Sequence, residues 1–311
     1  NYFGLAPPAW SYGLIPSTAS PLSLGIGLTT IRGEFQPEVL LDILQDYNIT
    51  NLFATPTGYR QLRQLDVDFS SLDFAVRHAY SAGGPLDSTT AEWGRKAFGT
   101  PIHNNYGLTE IGMPINNYRF DDWEFKPSSM GKPMPGFKVD VLDLGEDEPV
   151  PQGETGEIAI HQDSPVWASG YLGLPEATDE KFGGEWIRTD DLARIDEDDY
   201  FQYEGRADDV IISSDYRIGP AEVEDSLMGH EAVAETAVAG LPDEERGEIV
   251  AAFVTLAEGY EPSGELAKDI QNHVKDHLSK HEYPKQIEFV KSLPKTETGK
   301  IQRYQLRNDY E

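Results

Sequence analysis

Apolar and polar positions along the first part of the chain predict helices that connect short buried strands. Residues 37–47 carry apolar side chains at helical spacing behind Pro37, which suits a first helical turn. The predicted strands are 52–54, 74–80 and 101–105, and a second helix follows Ser81–Pro85 and ends at Phe98. This repeated order predicts a parallel sheet with helices on both faces. Ligands of such sheets bind at the carboxyl ends of the strands.

The pattern changes to short strands with frequent Gly and Pro between about residues 129 and 207, which predicts a β-rich, barrel-like subdomain. The strands predicted there are 138–142, 157–160, 186–189 and 200–203. Residues 208–311 predict a smaller α+β unit, with helices at 220–228 and 266–278 and strands near 233–239 and 250–256. We therefore expect an α/β large domain (1–207, divided at 128/129) followed by a small C-terminal domain (208–311).

Composition excludes several classes of function. The 311 residues include 54 acidic and 25 basic side chains, a formal net charge of −29. Nucleic-acid binding is not expected, because phosphate contacts need clustered Lys and Arg. The acidic residues are spread along the chain and 39% of residues are hydrophobic, which favours a folded, halophilic protein over a disordered one. No cysteine, signal peptide or membrane-spanning run is visible, so we expect a cytoplasmic protein without disulfides.

The run Asn105-Tyr-Gly-Leu-Thr-Glu110 combines an aromatic ring, a turn glycine, a hydroxyl and a carboxylate. These groups suit a nucleotide, since Tyr106 can stack on a base, Thr109 can bind a phosphate and Glu110 can bind Mg2+. The alternative interpretation is a core tyrosine followed by a helix that Thr109 caps.

Three other runs carry candidate chemistry. The two glycines of Ser81–Leu86 permit a flat ligand to approach the backbone, or simply form a turn. Asp190 and Asp191 follow a predicted strand and suit ribose hydroxyls, or are surface charge. The run Thr298-Gly-Lys300 places a lysine on a flexible loop, where it can be delivered as a point charge.

In this order, and with Gly205-Arg-Ala-Asp-Asp209 between them, these runs resemble the acyl-CoA synthetase branch of the AMP-forming, adenylate-forming enzymes. The resemblance covers essentially the whole chain, but only the C-terminal part of a full-length enzyme. It implies that the family's phosphate-gripping loop would precede residue 1. As a fragment, the chain is expected to bind nucleotide poorly and to catalyse little.

The resemblance implies a role for each matching residue. The residues implied to contact ATP are Gly83, Gly84, Pro85, Asn105, Tyr106, Gly107, Thr109, Asp191 and Arg206. Glu110 would bind Mg2+, Lys300 would be the catalytic lysine together with Thr109 and Glu110, and Arg217 would contact CoA or a phosphate. Asp208 would be the hinge about which a mobile C-terminal domain turns.

The chain departs from the family pattern at three positions. Gly84 stands where the family often has Glu, so a side-chain contact to adenine is absent there. Asp190 and Asp215 each replace a glycine. In the family, the glycine at the position of Asp215 lies close to the channel for CoA, so the sequence does not define the path of CoA in this chain.

The implied reaction converts a carboxylic acid, ATP and CoA to acyl-CoA, AMP and pyrophosphate. Trp10, Leu108 and Met113 would shape the acid pocket, or are ordinary core residues. No charged side chain is expected in this region, which favours a short- or medium-chain fatty acid over an amino acid, with an aryl acid of the benzoate type as the alternative. An adenylation domain that loads a carrier protein and a non-catalytic paralogue also stay open, as do the exact acid, the pathway and a possible homo-oligomer.

Overall fold

In the part of the chain that the structure describes, three β-sheets follow one another, each with its own hydrophobic core. The computed structural model describes residues 1–33, 35–118, 123–127, 129–214, 216–243, 245–296 and 300–310. The mixed α/β architecture expected from the sequence is confirmed. Within the described residues, no helix is long and apolar enough to cross a membrane.

The first sheet has seven strands: β1 Tyr2–Gly4, β2 Leu28–Thr29, β3 Asn51–Ala54, β4 His78–Ser81, β5 Ile102–Leu108, β6 Gly112–Asn116 and β7 Lys132–Pro133. Their order is β2-β1-β3-β4-β5-β6-β7. Strands β1 to β5 are parallel, as predicted, whereas β6 and β7 pair antiparallel with their neighbours. Strands β1 and β2 are too short to give a sequence signal.

Helices connect these strands: α1 Ser11–Leu14, α2 Ser20–Ser23, α3 Pro37–Asp46, α4 Pro56–Arg63 and α5 Ser88–Phe98, with a π-helical turn at Ile15–Ala19 and a 3₁₀ turn at Phe69–Ser71. The helix predicted behind Pro37 is confirmed as α3, which buries Leu40, Ile43 and Leu44. Helix α5 begins after Asp87, whose carboxylate accepts the N–H of Thr90 at 2.7 Å. Such a cap contributes about 1 kcal/mol.

Two predicted boundaries in this sheet are wrong. The strand predicted at 74–80 is only His78–Ser81, because the ring of Phe74 packs against Phe69 and Phe98 instead of continuing the ladder. The strand predicted at 101–105 continues to Leu108, since Tyr106 pairs with Ile115 of the antiparallel strand β6. A turn at 109–111 joins β5 to β6, so the alternative in which Thr109 caps a helix is also wrong.

The second sheet is antiparallel, with the order β11-β10-β9-β8. Its strands are β8 Val139–Leu142, β9 Gly156–His161, β10 Trp186–Ile195 and β11 Phe201–Arg206, and helix α6 spans Pro175–Phe182. The β-rich character predicted here is confirmed, although β10 continues six residues beyond the predicted end at Thr189. A bridge between Gly131 and Phe201 links this sheet to the segment before β7.

The third sheet belongs to the C-terminal part: β12 Ile211–Ser213, β13 Tyr216–Ile218, β14 Val233–Asp243, β15 Gly247–Leu256 and β16 Gln286–Phe289. Its helices are α7 Pro220–Met228, α8 Gly264–His277 and α9 Arg303–Tyr310. Helices α7 and α8 match the predicted positions. The hairpin of β14 and β15 buries one face against α7 and α8 and the other against α9.

Candidate functional site

A cavity of about 370 Å³ lies where the carboxyl ends of strands β4 and β5 face the second sheet and the C-terminal part of the chain. It is lined by ten residues that the sequence singled out: Gly83, Gly84, Pro85, Asn105, Tyr106, Gly107, Leu108, Asp191, Arg206 and Lys300. These residues come from segments more than two hundred positions apart. The location agrees with the rule that parallel sheets bind ligands at the carboxyl ends of their strands.

Gly83 is a glycine for two reasons. Its φ of +89° lies in the left-handed region, and a Cβ placed on it would lie 2.5 Å from the ring of Trp10. A Cβ on Gly84 would meet open space, so the glycine there is not required by packing. Trp10 therefore lies directly behind the glycine loop that lines the cavity.

Tyr106 extends from strand β5 and joins the sheet core to the second sheet. Its hydroxyl donates a hydrogen bond to Asp191 Oδ2 at 2.7 Å, and its side chain is buried. The next residue, Gly107, is packed so tightly in the β5–β6 hairpin that a Cβ would lie 2.0 Å from the carbonyl oxygen of Gly112. Gly107 therefore permits the close pairing of the two hairpin strands, and the turn itself begins two residues further on.

Asp191 is the most buried carboxylate of the predicted set, with 5% of its surface exposed. It accepts hydrogen bonds from Tyr106 and, at 3.3 Å, from the hydroxyl of Tyr203, and Arg206 Nη1 lies 3.9 Å away. Burial raises the pKa of Asp191 above its usual value, although these groups and the charge of Lys300 favour the carboxylate. The carboxylate is thus held in place before any ligand binds.

The backbone conformation of Asp190 shows why the family has glycine at this position and why Asp can replace it. Its φ of +64° is left-handed, a conformation that glycine adopts without strain and Asp tolerates. Its N–H donates to Glu157 Oε1 at 2.8 Å, and its carboxylate pairs with Lys181 at 3.2 Å. The side chain of Asp190 therefore lies at the protein surface, whereas Asp191 lines the cavity.

Thr109 and Glu110 lie in the turn of the β5–β6 hairpin, beyond the cavity lining. Thr109 Oγ1 is 3.0 Å from Ser11 Oγ, and Glu110 Oε1 accepts from the hydroxyl of Tyr171 at 3.0 Å. Among the residues that the structure describes, no group of three or more His, Cys, Asp or Glu is placed to hold a metal ion. A single carboxylate is nevertheless compatible with Mg2+, which proteins commonly bind through one or two carboxylates together with substrate phosphates.

Arg206 ends strand β11, and Asp208 lies in the turn that leads to β12. Arg206 Nε donates to Asp208 Oδ1 at 2.9 Å, and the Asp208 side chain is 72% exposed. The predicted hinge residue therefore lies outside the cavity, between the last strand of the second sheet and the first strand of the third.

Lys300 reaches the cavity from a short hairpin. Lys295 forms an antiparallel bridge with Ile301, and the carbonyl of Lys300 accepts the N–H of Thr296 at 2.8 Å. The Lys300 side chain is exposed on the cavity wall. The two residues that precede it in the sequence motif, Thr298 and Gly299, lie outside the described residues.

The candidate acid-pocket residues fall into two groups. Trp10 and Met113 pack against one small core that contains Tyr12 and Phe53. Leu108 packs against the core of the second sheet and also lines the cavity. Leu108 therefore belongs to a different core from Trp10 and Met113, and it alone of the three lines the cavity.

Arg217 is exposed on strand β13, outside the cavity. The neighbouring Ser214 donates its N–H to the carbonyl of Arg246 at 2.9 Å, and Asp215 lies outside the described residues. Arg246 belongs to a basic group around Tyr283, whose pKa is lowered by a hydrogen bond from Lys285 and by the charges of Lys275 and Arg246. This cluster is unusual in a chain with a net charge of −29.

Sequence reasoning missed Tyr203 and Arg303, which also line the cavity. Arg303 is 13% exposed and donates three hydrogen bonds to Glu224, at 2.8, 2.9 and 3.3 Å, and one to Asp209 at 3.3 Å. A signal was present, because Arg303 follows Lys300 by three positions in a chain with few basic residues. Tyr203 gave no signal that distinguishes it from other core tyrosines.

Comparison with known proteins gives two family matches. Residues 1–172 match the AMP-binding enzyme family, and residues 222–300 match the AMP-binding enzyme C-terminal domain. An uncharacterized acyl–CoA ligase of Bacillus subtilis is 40% identical over 97% of this chain and 56% of the relative. An acetyl-coenzyme A synthetase of the same organism is 37% identical over 98% of this chain and 54% of the relative.

A solved structure with the same fold is an anthranilate CoA ligase in complex with anthranoyl-AMP. The TM-score is 0.91 at 31% identity, over 99% of this chain and 59% of that one. The chain spans about half the length of the curated relatives it matches. On the match that covers more than half of its residues, the chain belongs to the AMP-binding enzyme family.

Proposed function

We propose that the full-length protein is an AMP-forming acyl-CoA synthetase, which makes acyl-CoA through an acyl-adenylate. The observation that carries this proposal is the cavity itself, which combines Tyr106 and Asp191 of the large domain with Lys300 of the C-terminal domain. The first two suit a nucleoside, and the third supplies a positive charge beside it. The names of the relatives support a CoA ligase.

In the first half-reaction, a carboxylate oxygen of the acid attacks the α-phosphorus of ATP, and the bond from that phosphorus to pyrophosphate breaks. Asp191 would accept hydrogen bonds from the ribose hydroxyls, and the ring of Tyr106 would lie against the adenine. Lys300 would offset the negative charge that builds on the two reactants and hold them in line. Thr109 would bind the α-phosphate, and Glu110 would hold Mg2+ with the phosphate oxygens.

In the second half-reaction, the CoA thiol attacks the acyl carbon and AMP leaves. We propose that the C-terminal domain (208–311) turns about Asp208 between the two steps and withdraws Lys300. The exposed position of Asp208 between two sheets supports a hinge there. Such rearrangements often limit turnover.

The basic cluster around Tyr283 is our candidate site for the phosphates of CoA. Lys275 Nζ and Lys285 Nζ lie 4.2 and 3.7 Å from the centre of the Tyr283 ring, and Arg246 adds its charge. Arg217 is exposed on the hairpin that Arg246 contacts through Ser214. The combination of several cations with an aromatic ring suits a nucleotide with phosphate groups.

For the acid, we propose a short- or medium-chain fatty acid. Trp10, Leu108 and Met113 are apolar, and if they shape the acid pocket they would suit an acid with a hydrophobic tail. The acetyl-coenzyme A synthetase relative supports an aliphatic acid. The anthranilate CoA ligase favours an aryl acid as the second candidate. We also propose adaptation to high salt, supported by the net charge of −29.

Acid-dependent ATP–pyrophosphate exchange by the full-length protein in molar KCl tests this function. The panel is acetate, butyrate, hexanoate, octanoate, benzoate and anthranilate, each with and without CoA. We expect exchange with an aliphatic acid and AMP release that requires CoA. Exchange without CoA-dependent AMP release would instead indicate an enzyme that loads a carrier protein. A folded protein that is silent with every acid would support the non-catalytic paralogue.

A further inference from the structure

Strand β14 contains an irregularity that re-aims one acidic side chain. Val233 pairs with Leu256 and Glu235 with Thr255, so Ala234 is an extra residue opposite none. Bulges of this kind redirect a side chain and are frequent beside active sites. The carbonyl of Ala234 accepts a hydrogen bond at 3.1 Å from Nε2 of Gln64, the residue that follows helix α4, so the bulge also contacts the large domain.

Glu235 lies between a cation of the large domain and a cation of the C-terminal domain. Its Oε2 is 2.7 Å from Lys295 Nζ, and its Oε1 is 3.7 Å from Arg60 Nη2. The side chain of Glu235 is 15% exposed, that of Lys295 24% and that of Arg60 12%. Solvent therefore screens these two pairs much less than it screens surface ion pairs. Arg60 is also a lining residue of the cavity.

The two contacts differ in strength. The Glu235–Lys295 pair is a short hydrogen-bonded ion pair within the C-terminal domain. Across the domain boundary, Glu235 Oε1 and Arg60 Nε are buried without a hydrogen-bond partner among the described residues. The pair at 3.7 Å is therefore attractive but loose, whereas Arg60 keeps a separate partner in Asp87 at 3.2 Å. The loose contact can open while the tight one persists.

Lys295 in turn fixes the base of the hairpin that carries Lys300. Lys295 is bridged to Ile301, and the N–H of Gln302 donates to the carbonyl of Pro294 at 2.9 Å. The residue next to that bridge is Lys300. Anchoring the Lys295 side chain therefore restricts where the Lys300 ammonium lies.

We propose that Glu235 is a positioning residue for Lys300: it holds the Lys300 hairpin through Lys295 and draws this hairpin towards the large domain through Arg60. The proposal rests on the proposed role of Lys300 in forming the acyl-adenylate. Glu235 touches no substrate, and its effect is confined to the half-reaction in which Lys300 faces the cavity. The thioester-forming step, in which Lys300 is withdrawn, does not depend on it.

The test uses the full-length protein and measures the two half-reactions separately. In E235Q and K295M, acid-dependent ATP–pyrophosphate exchange is expected to fall about 10- to 100-fold, the cost of a misplaced catalytic group, through kcat rather than through KM for ATP. Thioester formation from preformed acyl-adenylate is expected to stay within about twofold of wild type. K295R keeps the charge and is expected to retain most of the exchange.

Two controls separate this role from a structural one. E258Q changes an exposed glutamate in a turn of the same domain and is expected to leave both half-reactions unchanged. The double variant E235Q/K295M is expected to be no worse than the worse single variant, because both remove the same pair. Equal loss in both half-reactions, or full exchange activity in E235Q, would overturn the positioning role. If wild type itself shows no exchange with any acid, the proposed function fails instead.

Discussion

The two walls of the cavity are built in different ways. On the large-domain wall, Tyr106 and Asp191 extend from strands inside packed cores and are joined by a buried hydrogen bond of 2.7 Å. On the C-terminal wall, Lys300 is exposed on a hairpin that ion pairs hold in place. A group bound through both half-reactions needs a fixed site, whereas a charge needed in only one has to be removable. The difference in construction therefore corresponds to a difference in proposed role.

The largest effect is expected at Arg303, which holds the C-terminal wall together by charge. In R303M, the carboxylate of Glu224 stays buried without Arg303, whereas Asp209 keeps Arg307 at 2.7 Å. The unpaired Glu224 is expected to lower the free energy of unfolding by about 3–5 kcal/mol. Urea unfolding of the protein measures this value. K291M, at an exposed lysine of the same domain, is the matched control. A loss below about 1 kcal/mol in R303M would mean that packing, and not charge, holds this wall.

Asp191 tests the opposite wall. In D191N, AMP affinity is expected to fall about 10- to 100-fold, the value of hydrogen bonds to a charged group. Stability is not expected to fall, because burial raises the pKa of Asp191 and the fold therefore disfavours its charge. Isothermal titration with AMP and a melting curve give both values.

The neighbouring D190N variant is the control for Asp191. Asn tolerates the left-handed backbone at this position, and the Asp190 side chain faces Lys181 at the surface. Unchanged AMP affinity is expected. If D190N weakened binding as much as D191N, the assignment of the ribose contact to Asp191 would be wrong.

Salt is expected to stabilise the whole protein, and so both walls of the cavity, because the net charge is −29. Raising KCl from about 0.15 to about 1 M shortens the screening length from about 8 to about 3 Å and reduces repulsion among acidic side chains. We expect the melting temperature to rise by about 2–4 °C, equivalent to roughly 1 kcal/mol. Sucrose at equal osmolality is the control without screening. A melting temperature that is unchanged or lower in KCl would contradict salt adaptation.

The smallest effect is expected on the pH dependence of stability, through the group of His230, His273 and His277 in the C-terminal domain. Burial, His277 and His230 lower the pKa of His273, and only Asp269 and the carbonyl of Ser226 oppose them. A lowered pKa means that the native state binds this proton less readily than the unfolded chain. The contribution of neutral His273 to the stability of the fold is therefore complete above about pH 6.5, the pKa of histidine in the unfolded chain. This contribution declines as the pH falls towards the lower pKa of His273 in the native state.

Melting curves between about pH 5 and 8 measure this dependence. H273Q is expected to flatten the acid side of the profile, whereas H281Q, outside the group, is expected to leave it unchanged. An acid-side slope that is the same in H273Q and wild type would assign the pH dependence to other residues.

The sequence predicted the large-domain wall better than the C-terminal wall, for physical reasons. Gly83 and Tyr106 follow predicted strands of the parallel sheet, whose carboxyl ends meet at one edge, so their convergence in the cavity follows from the fold class. Asp191 lies on the antiparallel strand β10, and only the family resemblance implied its place beside them. The strand ends were misjudged, because Phe74 packs sideways and the β5–β6 hairpin depends on a pairing between distant backbone groups.

The ion pairs of the C-terminal wall could not be predicted in this way. Glu235 looks like any acidic residue of an acidic chain, and only the bulge at Ala234 shows that its side chain faces Arg60 and Lys295. Arg303 is separated from Glu224 by 79 positions. No local pattern reports a contact over that distance, so such pairs appear only once the domains are folded and placed together.

The division of labour between the two walls is tested most directly by measuring both half-reactions in full-length K300A. We predict that acid-dependent ATP–pyrophosphate exchange falls about 100- to 1,000-fold, the cost of removing a group that stabilises transition-state charge. Thioester formation from preformed acyl-adenylate and CoA is predicted to stay within about threefold of wild type. An equal loss in both half-reactions would contradict the account, because Lys300 would then serve both steps.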